Sequence, residues 1–170
     1  GLGDAVPPQV FLELGDAFLR ANQVGNAAKT FARARDLPDY AAFQRQVAES
    51  FERAGFLGHA LVTYERAMAS QGLDDVLLVK AGQIDEILGH ADRAAELYRR
   101  GLEVLLARFP LSGTAAPSDE KLDPWDDSRS FNRTSFDTNF GPLRDGFQSV
   151  ATAAQFADFA AAQRALLDRD

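Results

Sequence analysis

The chain has 170 residues, 46% hydrophobic and 25% charged, the balance of a soluble globular protein with room for one sizeable core or a short run of repeats. A formal charge of −7 and a pI near 4.8, with no cluster of Lys or Arg, argue against nucleic-acid and anionic-membrane surfaces, because both need grouped cations to neutralise phosphates. With no Cys, disulfides and thiolate metal sites are excluded, and the apolar runs are too short for a membrane-spanning helix.

Pro7 and Pro8 precede the first periodic run, where a missing N–H costs a helix nothing, and a first helix is predicted to start there. Val10, Phe11, Leu14, Ala17 and Phe18 follow three-and-four spacing, which forms an apolar stripe as far as Ala21. Asn22 and Gly25 predict a tight reversal. A second helix from about Asn26 to Asp36 then carries Ala27, Phe31 and Ala34 before Pro38 ends it. The opening GLGDAVPPQ lacks the charged start and apolar centre of a signal peptide, and there is no initiating Met. The chain therefore reads as a piece of a longer protein, with the cytoplasm expected as its location ahead of a mature secreted form.

The pattern then repeats. Phe43, Val47, Ala48 and Phe51 form a stripe, Gly55 and Gly58 mark a turn, and Ala60, Tyr64 and Ala67 continue on a second helix. Leu14 and Val47 stand 33 residues apart, as do Phe31 and Tyr64, so both helices shift together. A third copy carries Leu78, Ala81, Gly82, a turn at Gly89, then Ala94, Tyr98 and Gly101, at an offset of 34 from the second. Such a period points to stacked helix pairs.

These residues resemble three tetratricopeptide repeats over about residues 7–108. That family's pattern has a Leu-Gly-like pair, an aromatic, a turn Gly, an Ala, a second aromatic, another Ala and a closing Pro. Leu14-Gly15, Phe18, Ala27, Phe31, Ala34 and Pro38 fill it in the first copy, and Val47-Ala48, Phe51, Gly55, Ala60, Tyr64 and Ala67 in the second. The third departs at Asp85, which holds a slot where a large apolar residue is usual, and neither Ala67 nor Gly101 is followed by the Pro. The resemblance implies an all-α fold, a right-handed superhelical array of antiparallel helix pairs. Because each pair buries its face only against the next, a capping element is required after residue 108.

A long irregular segment is predicted over 109–142, holding Pro110, Gly113, Pro117, Pro124 and several acids. Trp125, Phe131, Phe136 and Phe140 are its expected anchors on the repeats; the alternative is a linker whose aromatics bind another protein. Pro142 is predicted to open a C-terminal helical cap over 143–170. Leu143, Phe147, Val150 and Ala154 share one stripe there, Phe159, Leu166 and Leu167 another, and the phase shifts near Gln155. Asp158 is a candidate cap for a second segment, so one long helix or two short ones fit.

The sequence carries no recognisable catalytic constellation. His59 and His90 sit near predicted turns, lack any ligand spacing and read as solvated. The acids Asp119, Glu120, Asp123, Asp126 and Asp127 do not follow a calcium-loop order, and no triad or phosphate loop is visible. No enzyme activity, metal or cofactor is expected.

The resemblance also implies that ligands lie in a concave groove made by the first helix of each pair. Its slots hold Leu12, Asp16, Leu19 and Arg20, then Arg45, Glu49, Glu52 and Arg53, then Val79, Gln83 and Glu86. Leu12 and Asp16 replace the cations with which some members clamp a C-terminal carboxylate, so an extended peptide or a partner helix is the expected ligand. The same charged residues also suit a plain solvated face. The expected function is a non-catalytic protein-binding scaffold or adaptor, and the Ala- and Arg-rich, Met-poor composition points to a bacterial source. Two alternatives stay open: a module autoinhibited by its own residues 120–141, or the recognition part of a larger enzyme.

Overall fold

The computed structural model describes residues 6–35, 40–108 and 127–167. Among them the chain forms eight helices and no strands: α1 (Pro8–Arg20), α2 (Val24–Ala32), α3 (Tyr40–Arg53), α4 (Leu57–Gln71), α5 (Asp75–Ile87), α6 (Ala91–Arg108), α7 (Asp127–Val150) and α8 (Ala153–Leu167). The all-α expectation holds. Two compact units divide the chain, Gly1–Gly72 with α1 to α4 and Leu73–Asp170 with α5 to α8.

The same turn closes each of the first three helix pairs. Asn22, Gly55 and Gly89 stand in register and all take a positive φ, 57°, 81° and 80°. Each donates its N–H to the carbonyl three residues back, Leu19, Glu52 or Glu86, and the next residue's N–H reaches the carbonyl five back, Phe18, Phe51 or Asp85. This double bond pattern satisfies helix-end carbonyls and demands a left-handed residue, which Gly supplies freely and Asn tolerates. The turn therefore sits at Asn22; Gly25 lies inside α2 and Gly58 inside α4.

Close packing within a pair follows from one small and one aromatic position. A Cβ at Gly15 would strike the Phe31 ring, and one at Gly82 would stand 2.7 Å from the Tyr98 ring. In the first unit Phe31 meets Phe51 and Phe43 edge to face, at ring-centre separations of 5.4 and 6.5 Å. Leu14 does not join this core: it is 45% exposed, whereas its counterpart Val47 is 5% exposed. Val10 and Leu14 share an exposed side of α1, and Val6, just before the helix, is exposed as well.

In the second unit Tyr98, Leu102 and Leu105 of α6 form a core with Leu143 and Phe147 of α7, and Phe140 packs against it. This changes the reading of the expected irregular segment. Residues 109–126 lie outside the described ones, but from Asp127 the chain is helical, and Pro142 falls inside α7 rather than opening a helix. A proline in a helix interior costs about 3 kcal/mol, and burying Leu143 and Phe147 returns about 2 kcal/mol apiece, so tertiary packing overrides the local signal.

The break after α7 is set by Thr152. Its Oγ1 accepts from the Gln155 backbone N–H at 3.2 Å, while Gln155 Oε1 accepts from the Thr152 N–H at 2.9 Å. This reciprocal cap starts α8 at Ala153, so Thr152, not Asp158, separates two helices. α8 rests Phe156 and Phe159 on Phe147, with ring centres 5.9 and 5.5 Å apart, and is otherwise mostly exposed.

Candidate functional site

The first helix of each pair carries the residues expected to face a ligand. Leu12, Leu19 and Val79 do not: all three are buried in the cores, so they have no surface to offer a partner. Asp16, Arg20, Arg45, Glu49, Arg53 and Gln83 do reach solvent, fully or in part. Within the first unit Arg53 lies 3.9 Å from Asp16 across α1 and α3, and Arg45 pairs with Glu49 at 3.3 Å along α3. Such exposed pairs add about 0.2–1 kcal/mol each, so this face is polar surface on which the fold scarcely depends.

Glu52 and Glu86 are engaged in a way the sequence reading missed. Tyr64 donates its hydroxyl to Glu52 at 2.6 Å, and Tyr98 to Glu86 at 2.9 Å, so the two copies repeat one bond. Ser149 of α7 adds a second bond to Glu86 at 3.1 Å. Burial first, and then the carboxylate that each hydroxyl contacts, push both phenols well above their ordinary value. The signal was present in the sequence as a Glu twelve residues before each Tyr.

Neither histidine is merely solvated. The His59 ring stacks on Phe51 at 5.2 Å. His90 Nδ1 lies 2.8 Å from Asp85 Oδ1, and Arg93 Nε lies 3.4 Å from Asp85 Oδ2. Asp85 is 0% exposed, while the His90 and Arg93 side chains are 50% and 54% exposed, so a buried carboxylate draws two surface groups over itself. Among the described residues no group of His, Asp and Glu has the arrangement to hold a metal ion.

Among the described residues, two clefts lie open to solvent. In the first unit α2, α3 and α4 enclose about 510 Å³, with Phe31, Tyr40, Val47, Phe51 and Val62 as apolar lining and Arg35, His59 and Arg66 among the polar groups. In the second unit α6, α7 and α8 enclose about 360 Å³ around Glu96, Arg99, Glu103, Asp158, Phe147 and Phe159. Arg99 bonds both Glu103 and Glu96, the latter at 2.8 Å, and holds the Glu96 carboxyl below its ordinary value. That cleft is acidic, with Asp92, Glu96, Glu103 and Asp158 against the single Arg99. The first one is not.

Of the expected aromatic anchors, Trp125 lies outside the described residues, as do the side chains of Phe131 and Phe136, whose backbone belongs to α7. Phe140 packs against the core of the second unit, with Arg144 5.8 Å above its ring. No described helix is long and apolar enough to cross a membrane. No family model, curated protein or solved structure matches this chain.

Proposed function

We propose that this chain is a non-catalytic interaction module of tetratricopeptide-like helix pairs, and that the exposed face of α1 and α3 meets a peptide or helix of a partner protein. The observation that carries the reading is the division of labour on these helices. Gly15, Leu19, Val47 and Phe51 face inward, whereas Asp16, Arg20, Arg45, Glu49 and Arg53 make a mixed-charge outer face. A surface with alternating charges recognises a partner by electrostatic fit more than by apolar burial. An adaptor role, with the cytoplasm as its setting, belongs to the same reading.

Charge reversal tests it. Arg45→Glu, Glu49→Lys and Arg53→Glu together are expected to lower capture of the partner at least tenfold, about 1.4 kcal/mol or more of binding energy. The helical circular dichroism and melting temperature should stay within error of the parent. Unchanged capture by a folded variant would remove this face from the binding surface.

A further inference from the structure

The cleft of the first unit lies on the other side of α3 from the proposed partner face. Helical spacing separates the two sets: Tyr40, Gln44, Val47 and Phe51 turn to the cleft, and Arg45, Glu49 and Arg53 turn away from it. Its volume of about 510 Å³ falls within the range of about 300–1,000 Å³ typical of ligand sites. Val62 is 44% exposed there, so apolar surface is open to solvent.

The charges around the cleft run against those of the chain. The protein has 25 acids to 18 Lys and Arg, yet no described acid lines this cleft, while Arg35, Arg66 and His59 do. The two guanidinium groups belong to one end. Ser70, at the end of α4, bonds Gln44 near the start of α3 at 3.0 Å, which puts Arg66 towards the Tyr40 end, and Arg35 follows α2 on the same side. The other end is aromatic, with Phe51 and His59 stacked at 5.2 Å. Along α4 the lining runs from Gly58 to Arg66, about 12 Å at 1.5 Å per residue, the reach of three to four extended residues.

From this geometry we propose that the cleft binds an acidic peptide segment, taking a large apolar side chain between Phe51, His59 and Val62 and the neighbouring carboxylate at Arg35 and Arg66. Arg recognises carboxylates through paired N–H donors and keeps its charge at any working pH. The apolar contact anchors the segment, and the two cations fix its direction.

The test is a titration of the full chain with N-acetylated, C-amidated Asp-Leu-Trp-Asp, followed by calorimetry and by the proton resonances of Tyr40 and His59. The neutral Asn-Leu-Trp-Asn peptide is expected to bind about tenfold more weakly or worse, the loss that goes with one charge-assisted contact. Arg66→Glu and Arg35→Glu, both at exposed positions, should each abolish the preference for the acidic peptide, and Val62→Asp should remove binding of either peptide. Arg45→Glu and Arg53→Glu should leave this titration unchanged, which separates the cleft from the partner face. Equal binding of acidic and neutral peptides, resonance changes confined to α1, or tighter binding of 4-phenylbutyrate than of the peptide would each overturn the assignment, the last by naming a free small acid as the occupant.

Discussion

The buried Tyr64 hydrogen-bonds the half-buried Glu52 in the second pair, the buried Tyr98 the exposed Glu86 in the third, and the first pair has Phe31 and Leu19 at the same two positions. Hydroxyl and carboxylate are present together or absent together, as expected when a buried donor is costly without its acceptor. Glu52→Leu alone is expected to cost about 1–3 kcal/mol, because it strands the Tyr64 hydroxyl. Adding Tyr64→Phe should recover most of that, giving a coupling of at least about 1 kcal/mol in a urea-denaturation cycle. Simple additivity would show that the bond contributes nothing. The phenols also predict alkaline behaviour. Their folded pKa values are raised, so their contribution is complete below the ordinary value of 10.0 and is lost as pH climbs past it, where the unfolded chain ionises first. Stability should fall above pH 10, more gently in the Tyr64→Phe, Tyr98→Phe double variant. Asp85 follows the same logic of joint replacement: Phe51, Phe56 and His59 of the second pair correspond to Asp85, His90 and Arg93 of the third, one aromatic cluster for one ionic cluster.

At the level of elements, α7 separates what the sequence could tell from what it could not. The turns were legible, because Gly55 and Gly89 mark positions where only a left-handed residue fits. The helix through Pro142 was not, since Pro, Gly, Asn and Ser all vote against it locally and only the cores of α5 and α6 make Leu143 and Phe147 worth burying. The Thr152–Gln155 cap was visible in the residues and went unread beside Asp158. Pro142 is exposed, so the ring itself has little packing to lose. Pro142→Ala should therefore restore a helix hydrogen bond and stabilise the second unit by about 2–2.5 kcal/mol, the interior proline penalty less the entropy that Pro removes from the unfolded chain. A higher melting temperature is the expected result. A lower one would mean that α7 needs its bend at this point.

For the whole molecule, the recurrence of residues was easier to read than the surfaces. Period and turn residues repeat in the sequence, but the cleft is lined by Phe31, Val47 and Phe51, which look like any core residue until three helices bring them round one space with Arg35 and Arg66. The partner face was half legible: polar slots such as Asp16 and Glu49 were placed outward, whereas Leu12, Leu19 and Val79 went to the cores. The two cores also predict where a cavity will be felt. Phe31 touches Phe43 and Phe51 within the first unit, and Phe147 touches Phe156 and Phe159 within the second. Phe31→Ala and Phe147→Ala should each cost about 3–5 kcal/mol, but in different places. Hydrogen exchange on the intact chain should quicken in α1 to α3 for the first variant and in α5 to α7 for the second, because local opening follows the contacts that are lost. Equal quickening of all the helices by either substitution would mean that the chain opens as one cooperative body, with the division at Gly72 having no energetic counterpart.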